Sequence, residues 1–260
     1  MKKKEKEFED FKKKTLHPKE ELLAILTVNH LTVRIAYFIK KHNLNISPNQ
    51  VTSIRLFLLF PLITFLLFLA PIMQYRLFYL LAAIGVYFMA FTDDLDGNIA
   101  RGLDKKSKYG AFLDSIADRA YTFILLIFIF SFGMWTNHTL LIYGALFALT
   151  LKSFHLMIIS KVYYYNPNSS VTTIFPEFFQ PGNKVMVSLN KIFKIKRWCE
   201  NFGGFERIFL AFMLPAILFY FGFELIVFVM VYALTIFNIY FYLSRTRNLI
   251  RDYEGVLNKK

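Results

Sequence analysis

Six long apolar windows follow Pro48, roughly residues 56–73, 77–92, 111–135, 139–159, 208–223 and 225–243. Each comes close to the about 20 residues that a helix needs to cross a bilayer core. Backbone amides in hydrocarbon must be paired within their own segment, so the windows predict an all-α integral membrane protein with six transmembrane helices. The second and fifth are short unless they continue into their flanks. The chain is 56% hydrophobic and holds 31 Phe beside a net charge of +13. That excludes disorder and argues against a soluble nucleic-acid binder, whose surface needs many more polar positions. The single cysteine, Cys199, excludes an intrachain disulfide and a cysteine-based zinc site.

The basic residues fall on alternate sides of this arrangement. Of the 31, 27 flank one face, and only Arg76 flanks the other; Arg55, Arg119 and Lys152 lie inside the windows. The positive-inside rule then puts both termini and the two long loops in the cytoplasm, at the inner or plasma membrane. The excess charge reads as topology plus attraction to anionic headgroups rather than to nucleic acid. A Lys/Glu-rich start without an apolar core predicts no cleavable signal peptide. Residues 16–45 carry Leu22, Leu23, Leu26, Leu31, Ile35, Phe38 and Ile39 among basic residues, a pattern that predicts an amphipathic helix on the membrane surface. The expected organisation is a tail and interfacial helix over 1–47, a six-helix domain over 48–245 with a long cytoplasmic loop at about 162–206, and a C-terminal tail over 246–260. That loop, rich in proline and then lysine, is expected to hold at most a short interfacial helix.

Six of the 18 acidic residues, Asp93, Asp94, Asp96, Asp104, Asp114 and Asp118, crowd where the second and third windows meet. Asp93 and Asp96 are three apart and Asp114 and Asp118 four apart, so each pair shares a helical face. A short link from Arg101 to Gly110 makes the two helices antiparallel neighbours, and four carboxylates converge on one volume near the membrane boundary. Unneutralised anions there repel one another and resist desolvation. An all-oxygen donor set favours hard divalent ions, and four carboxylates suit a two-metal clamp on a phosphoryl group. The plain alternative is a hydrated acidic loop paired with Arg101, Lys105 and Lys108. Gly97 and Ala100 leave one face open to a flat or bulky group, and Arg101 can grip a phosphate with two N–H groups. Asp94 points about 100° away from Asp93 and is not expected to join the cluster.

The run Asp93-x-x-Asp96-Gly97-x-x-Ala100-Arg101, followed by Gly110-x-x-x-Asp114-x-x-x-Asp118, resembles the signature of the CDP-alcohol phosphotransferase family. Pro48-Asn49-Gln50-Val51-Thr52, with Arg55 just after it, is similar to the segment that opens the first span in many members. The resemblance implies a homodimeric six-helix enzyme of phospholipid biosynthesis. It would transfer a substituted phosphate from a CDP-linked donor to an alcohol and release CMP, with Mg²⁺ or Mn²⁺, two ions, as cofactor. Carried over by residue, Asp93, Asp96, Asp114 and Asp118 hold metal, and Asp118 also acts as general base. Gly97, Ala100 and Arg101 lie against the CDP moiety, and Gly110 lets the helices pass closely. Asn49 and Thr52 are candidates for nucleotide contact. Lys152, three residues from His155 in the fourth window, and Arg207, beside Glu206 before the fifth, are candidates for the acceptor or the lipid phosphate, snorkelling being the alternative for Arg207.

The stretch from Gly110 to Arg119 resembles the phosphatidyltransferase branch and favours CDP-diacylglycerol with a small polar acceptor over a CDP-headgroup donor with a lipid acceptor. The long segment before Pro48 and the long fourth loop depart from compact phosphatidylglycerophosphate synthases and point toward an inositol-phosphate, serine, ethanolamine or less common product. An intramembrane prenyltransferase also pairs aspartate motifs with Mg²⁺, but over more spans and with far more chain between motifs. A cation transporter would place its acidic site near mid-bilayer, often in repeated halves, and no repeat is apparent.

Overall fold

A computed structural model describes residues 2–15, 30–165 and 209–257, and among them the chain is helical throughout, without strands. In chain order the helices are α1 (Lys2–Thr15), α2 (His30–Lys41), α3 (Pro48–Met73), α4 (Leu77–Gly102), α5 (Lys108–Thr136), α6 (Thr139–Tyr165), α7 (Phe209–Tyr220) and α8 (Glu224–Leu257). Five of them, α3, α4, α5, α6 and α8, are long and apolar enough to cross a membrane. The fifth predicted window is represented by α7, a shorter apolar helix, and the residues that precede it lie outside the described ones. So do Leu22, Leu23, Leu26, Cys199, Glu206, Arg207 and the predicted loop from 166 onward.

Two of the long helices extend well past their apolar windows. Helix α3 starts at Pro48, where Ser47 and Gln50 form a reciprocal capping box and proline occupies the first turn, a position that needs no N–H. Helix α4 runs through the aspartates to Gly102 because Leu95 and Ile99, four apart, continue its buried stripe. Ser107 caps α5 by accepting from the Gly110 N–H at 2.9 Å. Left-handed Gln74 and Asn137 end α3 and α5.

Among the described residues two π-helical turns interrupt the pattern, Arg55–Leu59 in α3 and Phe209–Met213 in α7. Each is followed, after one intervening residue, by a proline, Pro61 or Pro215. A proline inside a helix lacks the N–H for the bond to the residue four back, and its ring collides with that carbonyl. Widening the preceding turn to an i to i+5 pattern, as in the Phe60 N–H to Arg55 carbonyl bond, absorbs the conflict without breaking the helix.

The main core joins α3, α4, α5 and α7 through Ile63, Leu67, Tyr79, Val86, Phe128, Phe132 and Phe219, all buried. Near the start of α4 the Ser131 hydroxyl donates to the Leu67 carbonyl at 2.5 Å, which leaves Tyr79 as donor to Ser131 at 2.9 Å. Arg76 pairs with Glu224, and its guanidinium lies 5.1 Å over the Phe219 ring. At the other end of α4 a second core gathers Phe11, Val33, Ala36, Ile39, Val51, Leu95 and Ile99.

That second core changes the reading of the N-terminal region. The described part of the predicted surface helix, α2, buries Val33, Ala36 and Ile39 against protein rather than lipid, while Leu31 and Phe38 stay exposed. The charged run before it forms α1, which packs on the end of α4 and on α2. Phe11 is 3% exposed and lies against Gly102, which has no Cβ to hold it off.

Candidate active site

Asp93 and Asp96 project from α4, and Asp114 and Asp118 from α5, with the link 103–107 turning the chain back between them. The link is tight because Asp104 adopts a left-handed conformation (φ 54°) before Ser107 starts the next helix. The start of α3 closes the third side. A Cβ on Gly110 would sit 2.8 Å from Asn49 Oδ1 and 3.0 Å from Ser107 Oγ, so at this crossing of α3 and α5 a larger residue would push the tips of those two side chains aside.

One oxygen from each of Asp93, Asp114 and Asp118 lies within 4.8 Å of the others, a spacing compatible with one shared cation. Asp93 and Asp114 are half-buried and Asp118 is exposed. Asp96 stands apart from this triad. It is buried, accepts from the Thr52 hydroxyl at 2.7 Å, and lies 3.6 Å from Arg55 Nη2. The same Thr52 oxygen is 3.2 Å from the Pro48 carbonyl, its secondary acceptor. Thr52 thus orients a carboxylate, an assignment that spacing alone did not provide.

Arg55 is the residue that sequence reasoning left without a role. Its side chain is 0% exposed, and it forms ion pairs with Asp93, with Asp96 and, at 2.8 Å through Nη2, with Asp114. Its Nε is buried without a hydrogen-bond partner, and the Tyr121 hydroxyl of α5 faces the same guanidinium. The signal was present in the sequence, since a basic residue inside an apolar span needs anionic company. The ion pairs of Asp93, Asp96 and Asp114 run to this interior cation rather than to Arg101, Lys105 and Lys108, the partners that the alternative of a hydrated acidic loop named.

Gly97 and Arg101 are brought together differently from the expectation of an open face. The guanidinium of Arg101 lies over Gly97, where a Cβ would be 3.1 Å from Nη1. Arg101 Nε donates to the Thr15 carbonyl at 2.6 Å and Nη2 to Asn98 Oδ1 at 2.9 Å, so the last turn of α1 holds it in place. Ala100 is half-buried on the same helix. Beside Arg101 a cavity of about 280 Å³ is lined by Lys14, Arg101, Asp104 and Lys106. Lys14 Nζ donates to Asp104 at 2.5 Å and holds that carboxyl below the usual carboxylate range. Lys152 and His155 are buried on α6, with Lys152 Nζ 5.2 Å over the Tyr242 ring of α8.

The profile of the CDP-alcohol phosphatidyltransferase family matches residues 45–237, which include α3 to α7 and all four aspartates. The chain belongs to that family. It is 41% identical over 80 residues, 31% of this chain, to a CDP-diacylglycerol–glycerol-3-phosphate 3-phosphatidyltransferase of Pseudomonas fluorescens. It is 43% identical over 75 residues, 29% of this chain, to an uncharacterized protein of Aquifex aeolicus. The matches span 38% and 34% of those two relatives. Helices α1 and α2 lie before the matched region.

Proposed function

We propose that the chain transfers a phosphatidyl group from CDP-diacylglycerol to the hydroxyl of a small polar alcohol, with release of CMP. The observation that carries this reading is the Asp93, Asp114 and Asp118 triad on two antiparallel helices of a chain in this family. Its donor set is all carboxylate oxygen, which fits Mg²⁺ or Mn²⁺, with Asp96, held by Thr52 and Arg55, as the fourth carboxylate of the motif beside it. A divalent cation held there supplies Lewis-acid polarisation of the phosphoryl oxygens and neutralises charge on the departing CMP phosphate. Two ions are expected.

The protein's own groups account for the rest. Asp118, the exposed member, is the residue that can meet an incoming hydroxyl and accept its proton. Arg101, Gly97, Ala100 and Gly110, with Asn49, are assigned to the nucleotide, and Thr52, which is buried, acts through the Asp96 carboxylate it holds. At Arg101 a phosphate or base would meet the anchored guanidinium rather than bare backbone. Lys152 is assigned to the acceptor or lipid phosphate, as is Arg207. The distribution of basic residues supports a cytoplasmic site with both termini on that side, and the family supports a homodimer.

The deciding experiment incubates the purified protein with CDP-diacylglycerol and Mg²⁺ beside a panel of alcohols, headed by the glycerol 3-phosphate named in the Pseudomonas relative. CMP is followed and the lipid product weighed by mass spectrometry. Product formed only from CDP-choline or CDP-ethanolamine would reverse the donor assignment, and cation flux without CMP would replace the enzyme by a transporter.

A further inference from the structure

We infer that Arg55 is an internal counter-cation that competes with the divalent ion for the aspartates. The inference rests on the metal-binding reading above. Three observations support it. The guanidinium is fully buried and engages Asp93 and Asp114, two of the three carboxylates whose oxygens cluster closely enough to share a cation. It also reaches Asp96, which has a second partner in Thr52 and so keeps a hydrogen bond when the others are withdrawn. Finally, Arg55 opens the π-turn of α3, whose widened backbone is a local irregularity of the kind found at functional sites.

The electrostatics assign the direction of the effect. Three carboxylates whose oxygens crowd within 4.8 Å of one another repel and are stabilised by a positive charge among them, and the fully buried guanidinium in turn needs its anionic partners. Without a divalent ion, Arg55 supplies it. When an ion engages Asp93, Asp114 and Asp118, the guanidinium yields the first two and retains Asp96. The site then alternates between an arginine-closed and an ion-loaded arrangement. Arg55 is a positioning residue in this scheme, acting on the ion through the carboxylates. A role confined to holding the carboxylates for the ion makes the opposite prediction, since removing Arg55 would then weaken ion binding.

The test uses the full chain in detergent, stripped of metal, with Mn²⁺ as the probe and free Mn²⁺ read by electron paramagnetic resonance. Arg55→Gln is expected to bind Mn²⁺ more tightly than the wild type by more than about tenfold, because one positive charge a few ångströms from a divalent ion is removed. Arg55→Lys keeps the charge and is expected to stay near the wild-type affinity. Arg55→Met fills the same buried volume without a charge and leaves all four carboxylates in place, and it carries the same Mn²⁺ prediction if Arg55→Gln fails to fold. Affinity in the uncharged variants equal to or weaker than that of the wild type overturns the inference, as does absence of Mn²⁺ binding in the wild type and both variants. Tighter binding in the variants with no transferase activity in the wild type would sink the proposed function alone, and unchanged affinity in the variants of an active wild-type enzyme would sink this inference alone.

Discussion

Replacing Gly102 separates two effects that pull in opposite directions. Within a helix, alanine or leucine is favoured over glycine by about 1 kcal/mol, so propensity alone predicts stabilisation. Packing predicts the reverse. Any Cβ at this position runs into the Phe11 ring and lies 2.9 Å from the Thr15 methyl. Phe11 cannot turn away cheaply, because Tyr37 sits against it at 5.5 Å and Lys40 lies 5.2 Å over its face. Releasing a buried Phe costs roughly 1.5–3 kcal/mol, and the Lys14–Asp104 pair is too exposed to alter that balance. Packing therefore wins by about 0.5–2 kcal/mol for Gly102→Leu, a shift of roughly 2- to 30-fold in the ratio of docked to undocked α1. Alanine is expected to fall between. A free helix of 14 residues is marginal in water, so undocking also unfolds it. Hydrogen exchange over residues 2–15 should accelerate by that factor while α5 keeps its protection. Unchanged exchange in the leucine variant would refute the packing argument, and with it the assignment of the last turn of α1 as the anchor of Arg101.

Asp118→Asn is expected to abolish transfer while leaving the melting temperature near wild type, and EDTA is expected to do the same reversibly; wild-type rates in the variant would remove Asp118 as the base. The Asp104 carboxyl is held below its ordinary value by Lys14, so its contribution to docking α1 is present above about pH 4 and is lost as pH falls through the lowered folded value. Exchange over residues 2–15, corrected for intrinsic rates, should show this loss in the wild type and not in Asp104→Asn. Ser131→Ala strands the Tyr79 hydroxyl in the core and is expected to cost about 1–3 kcal/mol, whereas Tyr79→Phe leaves Ser131 still bonded to Leu67 and should cost less. Thermal unfolding in detergent orders the two, and a larger loss for Tyr79→Phe would reverse the donor assignment.

The meeting of Asp93 with Asp114 and Asp118 was legible because helical geometry turns a spacing of four into a shared face and a short polar link between apolar windows forces antiparallel neighbours, whereas the turn of Asp96 toward Thr52 and Arg55 was not. Arg55 was visible as a basic residue in a span, but its partners lie 38 to 59 positions away, and only packing of α3 against α4 and α5 reveals them. Apolar windows understated α3 and α4, since hydropathy falls at the first carboxylate even where Leu95 and Ile99 keep one side buried. Helix α1 was read as a charged tail for a similar reason. Its buried face consists of little more than Phe8, Phe11 and Thr15, and the site that receives them is a glycine on another helix. Arg101 shows the limit of a motif: its position in the signature was evident, while its tie to the Thr15 carbonyl depends on residues outside the matched region.

The clasp between Arg76 and Glu224, with the aromatic layer of Tyr79, Trp135 and Phe219 beneath it, sits at the start of α4, and the aspartates sit near the finish. Some 17 residues, about 25 Å of helix, separate them. The two ends of the bundle are thus fastened by different means, an exposed ion pair over packed rings at one and a buried guanidinium among carboxylates at the other. The first tie leaves no charge in the interior, whereas loosening the second would strand a cation there.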